Sequence, residues 1–499
     1  MLEGLVLALT PANLLAAVVG VAMGLVIGWI PGLSATMGVA LLVPVTFVLS
    51  PEAGMIMLAG VYAAAIYGGS VSAVLLNVPG TPASIVTTWD GYPLTRQGKA
   101  MLALGTSILS SFFGGMVSAI ALLLFAPVLA AWALRFGPAE YFALALFAMT
   151  IVASLAADAP LKGFIAASVG LFLASIGFDP LLGQPRFWFQ MPELASGFNL
   201  VAVLIGLFAI PEVISLAAAA RAQRVKVPPD VAGERLFPDR AELGRNWLNL
   251  IRSSLIGVGL GTLPAIGPET APFVSYNEAK RASKRKEQFG KGSIEGIIAA
   301  ETSNNATTGG SLIPLLTLGI PGSATAAVFL GALTIHGLRP GPLLFTSRPE
   351  LIYALFFGFI LVNVVMLVIA LASIRRFAPQ VLRLSPAVLA AFISVFSVVG
   401  AYAVESSLFD VWVMVAFGGV GYLMRRQGFP PGPLVLGLVV GPLLEENMVR
   451  MLASFRGDWG AILSRPVASV FLFLAVATLL LPALKGWWSR HRARGAASL

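Results

Sequence analysis

Seven consecutive residues, Thr302-Ser303-Asn304-Asn305-Ala306-Thr307-Thr308, put six short polar side chains into otherwise apolar surroundings. At helical spacing such a run points in every direction. Its hydroxyls and amides cannot all be satisfied by carbonyls one turn back, so some must meet another polar surface or water. Glu301 abuts the run. Similar groups flank four proline-bearing steps: Ser34 and Thr36 follow Ile30-Pro31-Gly32, and Asn77 and Thr81 bracket Val78-Pro79-Gly80. In the second half Glu269 and Thr270 follow Leu263-Pro264-Ala265, and Ser323 and Thr325 follow Ile320-Pro321-Gly322. Ser70, Ser72, Ser84, Thr87 and Ser311 lie close by. The chemistry on offer is recognition rather than bond making. Backbone N–H groups at a helix start, with hydroxyls and amides beside them, form a shell for a carboxylate without a fixed cation. Open carbonyls at the other half-helix ends suit sodium. These residues are the expected binding site of an anion and an accompanying Na⁺ or H⁺. Glu269 and Glu301 either carry a proton or sit at a water-exposed edge. Asp90, Asp158 and Glu212 fall near expected helix ends, where a solvated role is expected. The Gly20, Gly24, Gly28 spacing is expected to serve close helix packing.

Elements able to hold such groups must cross a membrane. Of 499 residues 58% are hydrophobic and 11% charged, and mean hydropathy is +0.89. An ordinary soluble domain has about 25% charged residues, so a water-soluble fold of this size is excluded. With no cysteine and two histidines, the chain offers neither a disulfide nor the usual ligands of zinc, iron–sulfur or haem sites, and no cofactor is expected. A span needs roughly 20 apolar residues. Segments read as spanning or embedded fall near 11–49, 52–69, 70–88, 100–130, 139–156, 160–178, 198–220, 247–278, 293–309, 310–335, 350–374, 386–403, 409–424, 430–447 and 466–484. The first follows no basic region and no small-residue cleavage site, and reads as mature structure rather than a signal peptide. The net charge of +9 is concentrated in 221–246 and 279–292, with further Lys and Arg on the same side of the spans. This asymmetry predicts an N-terminus outside and a C-terminus inside, and it reads as an orientation signal rather than a nucleic-acid surface.

The two halves echo each other. Gly24 to Gly32 is matched by Gly257 to Ala265, Gly68-Gly69-Ser70 by Gly309-Gly310-Ser311, and Leu76 to Ala83 by Leu318 to Thr325, at separations of 233, 241 and 242 residues. After the first break the second half runs into the basic 279–292 loop, whereas the first half reaches Ser50-Pro51-Glu52-Ala53-Gly54, with no basic residue. Corresponding loops thus prefer opposite sides. The expected fold is an all-α polytopic membrane protein of two inverted-topology repeats, with re-entrant or broken helices meeting near the bilayer midplane. The expected divisions are a first repeat over 1–220, a cytoplasmic basic linker over 221–246, a second repeat over 247–484 and a basic tail over 485–499. Scaffold helices are expected from 100–220 and 350–484. Phe429-Pro430-Pro431-Gly432-Pro433 and Gly441-Pro442 are expected to break a helix and set Glu445 and Glu446 near the outer face, as a gate or partner contact.

Segments 20–99 and 257–342 carry a resemblance. Their paired Pro-Gly breaks, the Tyr-Gly-Gly-Ser and Asn-Val-Pro-Gly-Thr-Pro elements, and Glu-Thr-Ser-Asn-Asn-Ala-Thr-Thr-Gly-Gly before Gly-Ile-Pro-Gly resemble the large membrane subunit of the tripartite tricarboxylate transporters, the TctA family. That likeness implies a bacterial inner-membrane importer of carboxylates. It further implies a small four-helix membrane subunit and a periplasmic solute-binding protein as partners, and coupling to an ion gradient. The chain agrees in having no Gly-x-x-x-x-Gly-Lys-Ser/Thr phosphate loop. The expected mechanism is alternating access, with tips near Pro31, Pro79, Pro264 and Pro321 enclosing a di- or tricarboxylate and its ion. A membrane-embedded enzyme acting on a lipid-linked substrate would need paired acids or an activated nucleophile, and a passive channel would need a continuous polar lining. The sequence displays neither.

Overall fold

Prolines open many of the long helices and left-handed residues close several helices. In the computed structural model, which describes residues 1–30, 32–154, 160–179, 183–219, 235–264, 267–376 and 385–480, α1 (Leu2–Ala8) is followed by α2 (Pro11–Trp29), α3 (Ala35–Leu42) and α4 (Pro51–Leu76). Pro11 and Pro51 occupy first-turn positions, where a missing N–H costs nothing. Then come α5 (Ile85–Arg96), α6 (Ala100–Ala133), α7 (Pro138–Ser154), α8 (Pro160–Ala174) and α9 (Leu200–Ala219). The second half runs through α10 (Arg240–Arg245), α11 (Trp247–Gly261), α12 (Gly267–Ala282), α13 (Ile294–Leu318), α14 (Ala324–Ile335), α15 (Leu344–Ser347) and α16 (Pro349–Ser373). It ends with α17 (Pro386–Glu405), α18 (Leu408–Gln427) and α19 (Pro431–Ser454). Among the described residues eight helices are long and apolar enough to cross a membrane, and the sheet is limited to one two-residue antiparallel pair, Gly177–Phe178 with Pro185–Arg186. The protein is an all-α, multi-pass membrane protein. Pro31, Asp158 and the 485–499 tail lie outside the described residues, as does 221–234 of the basic linker.

The chain divides into two units, one of residues 1–133 with 199–423 and one of 134–198 with 424–499. Inside the first, α2 lies on α4 through glycines. A Cβ on Gly20, Gly24 or Gly28 would come 2.2, 2.7 or 2.5 Å from the carbonyl oxygens of Met57, Val61 and Ala65. The same device recurs in the second half, where Gly257 and Gly261 of α11 face the Ser303 and Thr307 carbonyls of α13. Close packing is therefore what these glycines do.

The segments expected at 52–69 and 70–88 are instead one unbroken helix, α4, up to Leu76, and α13 likewise runs through Gly309-Gly310 to Leu318. The glycine pairs bend nothing; they admit neighbours. A Cβ on Gly68 would lie 2.9 Å from the Gly28 Cα, and one on Gly310 would lie 2.7 Å from the Val258 carbonyl. The real stops are Asn77 (φ 58°, ψ 26°) after α4 and Gly319 (φ 73°, ψ 15°) after α13, at the repeat separation of 242 residues. Asn tolerates this left-handed conformation better than most residues, which accounts for its presence there.

In the second unit α8 and α19 approach through Gly170 and Gly437, whose Cβ atoms would meet the Leu434 and Ala167 carbonyls at 2.0 and 2.3 Å. The Phe429–Pro433 run marks the start of α19, but Gly441-Pro442 does not break it. Glu445 accepts two bonds from Arg186, at 2.5 and 2.9 Å, and Glu446 pairs with Arg450.

Candidate functional site

Each half builds the same local frame. The Gly80 N–H donates to the Gly69 carbonyl at 3.1 Å, and at the repeat separation the Gly322 N–H donates to the Ser311 carbonyl at 3.4 Å. Gly80 abuts the Gly28 carbonyl and Gly322 the Gly261 carbonyl, so the proline–glycine loops are seated on the ends of α2 and α11 respectively.

The tips then pair between halves. Ser34 caps α3, accepting from the Met37 N–H at 3.1 Å, and Ser323 caps α14, accepting from the Ala326 N–H at 3.1 Å. One residue into helix α3 or α14 from where the cap ends, the Thr36 and Thr325 hydroxyls bond one another at 2.8 Å, buried. Two helix N-termini thus meet. Tyr62 of α4 joins them, its hydroxyl 3.1 Å from both Ser311 and Ser323. The start of α12 arrives as well: a Cβ on Gly267 would lie 3.2 Å from Ser323 Cβ and 2.7 Å from a Glu269 carboxylate oxygen. Gly267 is buried while Glu269 is exposed, which sets that carboxylate on the open side of the cluster, with Thr270 half-buried beside it.

A second polar cluster centres on Glu301, fully buried at 0% exposure. Its oxygens accept from Ser70 of α4 at 2.6 Å, from Ser111 of α6 at 2.9 Å and from Thr87 of α5. Tyr62 pairs with residue 311 and Ser70 with residue 301, so the contacts run in opposite order along α4 and α13. The ten residues from Glu301 to Ser311 correspond to about 15 Å of helix rise.

The polar run between the clusters divides in two. Ser303, Thr307 and Thr308 return their hydroxyls to carbonyls of their own helix, at 2.6 to 2.8 Å for the shortest of each. Asn305 donates to the Ala63 carbonyl at 3.3 Å, leaving its own side-chain oxygen unbonded. Both polar atoms of Asn304 and the Thr302 hydroxyl are buried without a partner. Asn304 stands where Tyr62 stands in the other half, at the separation of 242 residues. An amide buried and unbonded costs on the order of 1–3 kcal/mol, and Asn304 is the residue of the run with both side-chain polar atoms left so.

Other expected site residues have plainer positions. Asn77 is exposed and ends α4, Pro79 is half-buried, and Gly32 is exposed. Thr81 is buried at the loop end, exchanging bonds with Ser84. Pro321 and Gly322 are buried beneath the tip cluster. The solvated role expected of Asp90 and Glu212 is overturned. Glu212 lies within α9 at 6% exposure, and its Oε1 would be 2.4 Å from a Cβ on Gly32, against the first break. Asp90, 1% exposed, accepts from the N–H groups of Gly290, Gly292 and Ser293 at 2.8 to 2.9 Å and from the Tyr276 hydroxyl. Asp90 therefore ties the basic loop down. Asp90→Ala leaves three backbone donors unbonded, and we expect a loss of about 3 kcal/mol, read as a lowered unfolding midpoint of the detergent-solubilised protein with Asp90→Asn intermediate.

Tyr62 and Ser111 were not singled out from sequence, and Glu212 was expected only in a solvated role. The available signal was physical: a tyrosine hydroxyl in an apolar span needs a partner, and so does an acid. A cleft of about 670 Å³ between α11 and α12 is lined by Arg252, Ile256, Val274, Asn277, Glu278 and Arg281. Arg281 there bonds Glu278 through two nitrogens at 2.9 Å, and Arg252 bonds Asn249 at 2.9 Å while its Nε is buried without a partner.

Residues 14–436 match the family described as Tripartite tricarboxylate transporter TctA family. A protein of Agrobacterium vitis named as an uncharacterized 52.8 kDa protein in the TAR-I ttuC' 3'region is 38% identical over 484 residues, covering 96% of this chain and 95% of that protein. A second from the same organism, named as an uncharacterized protein in the TAR-II ttuC' 3'region, is 36% identical over 225 residues, covering 45% of this chain and 93% of that protein. No solved structure matches.

Proposed function

This chain belongs to the tripartite tricarboxylate transporter TctA family, and on that premise we propose that it imports di- or tricarboxylates by alternating access, driven by an ion gradient. It is the membrane component of a transport system and not an enzyme. The observation that carries the fuller reading is the meeting of the α3 and α14 N-termini at the Thr36–Thr325 pair, beneath the Tyr62 hydroxyl. Each N-terminus presents unpaired N–H groups and a partial positive charge, worth about 0.3–1 kcal/mol per facing anion and up to about 2 when partly buried. Two of them, with four hydroxyls, suit one carboxylate of a substrate. The hydroxyls that now bond each other turn to it when it enters.

The repeat explains why the anion belongs at this pair. At the separation of 233 residues the counterpart of Thr36 is Glu269. The α12 start therefore brings its own carboxylate, while α3 and α14 bring none in their first turns. Asn304, unbonded on the neighbouring turns of α13, is the natural ligand for a more distant part of the substrate. The opposite running order of α4 and α13, which are equivalent in the repeat, supports an inverted arrangement of the halves. The basic loops support an N-terminus outside and a C-terminus inside an inner membrane. The partners are a periplasmic solute-binding protein and a small four-helix membrane subunit, and Na⁺ or H⁺ moves with the substrate.

The test is reconstituted uptake of radiolabelled citrate and other di- and tricarboxylates into proteoliposomes, with both partners supplied. Uptake above the outside concentration is expected only with an imposed Na⁺ or H⁺ gradient, and Asn304→Ala with Asn305→Ala is expected to reduce it at least tenfold. Gradient-independent flux in the parent protein would sink the carrier reading, and unchanged uptake in the variant would remove the asparagines from the site.

A further inference from the structure

We propose that Glu301 is the proton-carrying residue of the coupling cycle, and that its ionised form locks α13 of the second half to α4, α5 and α6 of the first. The inference rests on the transport reading above and gives it an ion and an address. Glu301 is fully buried, and every bond it accepts comes from a hydroxyl: Ser70, Ser111 and Thr87, on three different helices. No Lys or Arg pairs with it among the described residues. An uncompensated carboxylate at such depth is expensive, and three donated bonds offset part of the cost. The Tyr67 hydroxyl of α4 is also buried, and it is unbonded.

Hydroxyls make this shell reversible. A lysine or backbone N–H can only donate, so it would hold the ionised form alone. Ser and Thr both donate and accept, and on a helix they can turn back to the carbonyl three or four residues earlier. When a proton from the outside forms an O–H bond at Glu301, the carboxyl donates to one hydroxyl. The other hydroxyls then fold onto their own helices, and the link between halves loosens. Direct oxygen–oxygen contacts of 2.6 and 2.9 Å are hydrogen bonds, and a sodium ion among these oxygens would have to spread them apart. A proton can reach this carboxylate without those oxygens first being spread.

Nothing nearby competes for the role. On the elements packed against α13, Asp90 of α5 is held by the 290–293 backbone and by Tyr276 of α12. Arg252 of α11 bonds Asn249, Tyr62 of α4 bonds Ser311 and Ser323, and Glu269 of α12 belongs to the tip cluster. Neither α6, α14 nor the turn Pro82–Ser84 carries an ionisable side chain.

The experiment uses the full chain with its partners in proteoliposomes, with radiolabelled citrate as probe, and compares the parent with Glu301→Gln and Ser111→Ala. Glu301→Gln is expected to lose accumulation driven by a pH gradient while keeping the parental yield and size-exclusion profile. Ser111→Ala is expected to shift the pH profile of uptake and retain accumulation. Infrared difference spectra of the parent should show a protonated-carboxyl band that titrates with pH and is missing in Glu301→Gln, a readout that needs no transport. No Glu301-dependent band, or accumulation that follows a sodium gradient at equal pH and survives in Glu301→Gln, would overturn the assignment. Failure of the parent to move any carboxylate, with the band present, would instead count against the substrate reading alone.

Discussion

Replacing Thr36 and Thr325 together by Val is expected to raise the concentration of carboxylate needed for half-maximal uptake by about 10- to 100-fold, with yield and size-exclusion profile unchanged. The two hydroxyls bond one another at 2.8 Å in a buried setting, each on the first turn of a helix whose N-terminus faces the other. Valine keeps the shape and removes both donors. Because the two partners go together, no buried hydroxyl is orphaned, and the fold loses little. At the proposed site the substrate loses two hydrogen bonds to a charged group, each worth about 1.5–3 kcal/mol at most, of which the helix N–H groups recover a part. Tyr62→Phe belongs to the same series and should act in the same direction, since its hydroxyl bridges Ser311 and Ser323. Thr334→Val is the control: that hydroxyl bonds the Leu330 carbonyl on an exposed turn of α14 and should be silent. Parent-like affinity in the double variant would move the anion site away from these N-termini.

Gly257→Leu is expected to leave essentially no folded protein, while Gly259→Leu, two residues along the same helix, leaves it intact. A Cβ on Gly257 would sit 2.4 Å from the Ser303 carbonyl and 2.6 Å from the Ala306 Cβ, whereas nothing lies within 4 Å of one on Gly259. Relieving the first clash means moving α11 off α13. That move would also pull Gly261 from its seat against Gly322 and so disturb the loop that caps α14. Overpacking commonly costs about 1–3 kcal/mol where side chains can yield, and here the obstacle is backbone, which cannot. Fluorescence-detected size exclusion of tagged variants reads the result directly. A monodisperse Gly257→Leu peak of parental height would show that the contact between the two helices is looser than described.

The two results would separate what was legible in the residues from what was not. Glu301 and Asn304 were visible as polar positions in an apolar stretch, yet their roles diverge: one is bonded by three helices, the other has no partner at all. Ser303, Thr307 and Thr308 looked equivalent to them and turned out to serve their own helix. Gly-Gly pairs at which the expected spans divided proved to be contacts, because a glycine permits a bend and a close approach alike and only the neighbour decides which.

Composition, proline and repeat spacing by themselves determined that this is a multi-pass helical membrane protein with two matching halves and interrupted helices at fixed places. Those features are local: apolar length sets a span, and a proline or a left-handed residue ends a helix wherever it stands. Only the tertiary structure decided that the first tip of one half meets the second tip of the other, that Tyr62 serves both, and that Glu301 is held by hydroxyls from across the repeat. Such pairings join residues as far as 289 positions apart, and they follow from how glycine-faced helices seat against carbonyls, which no local pattern records.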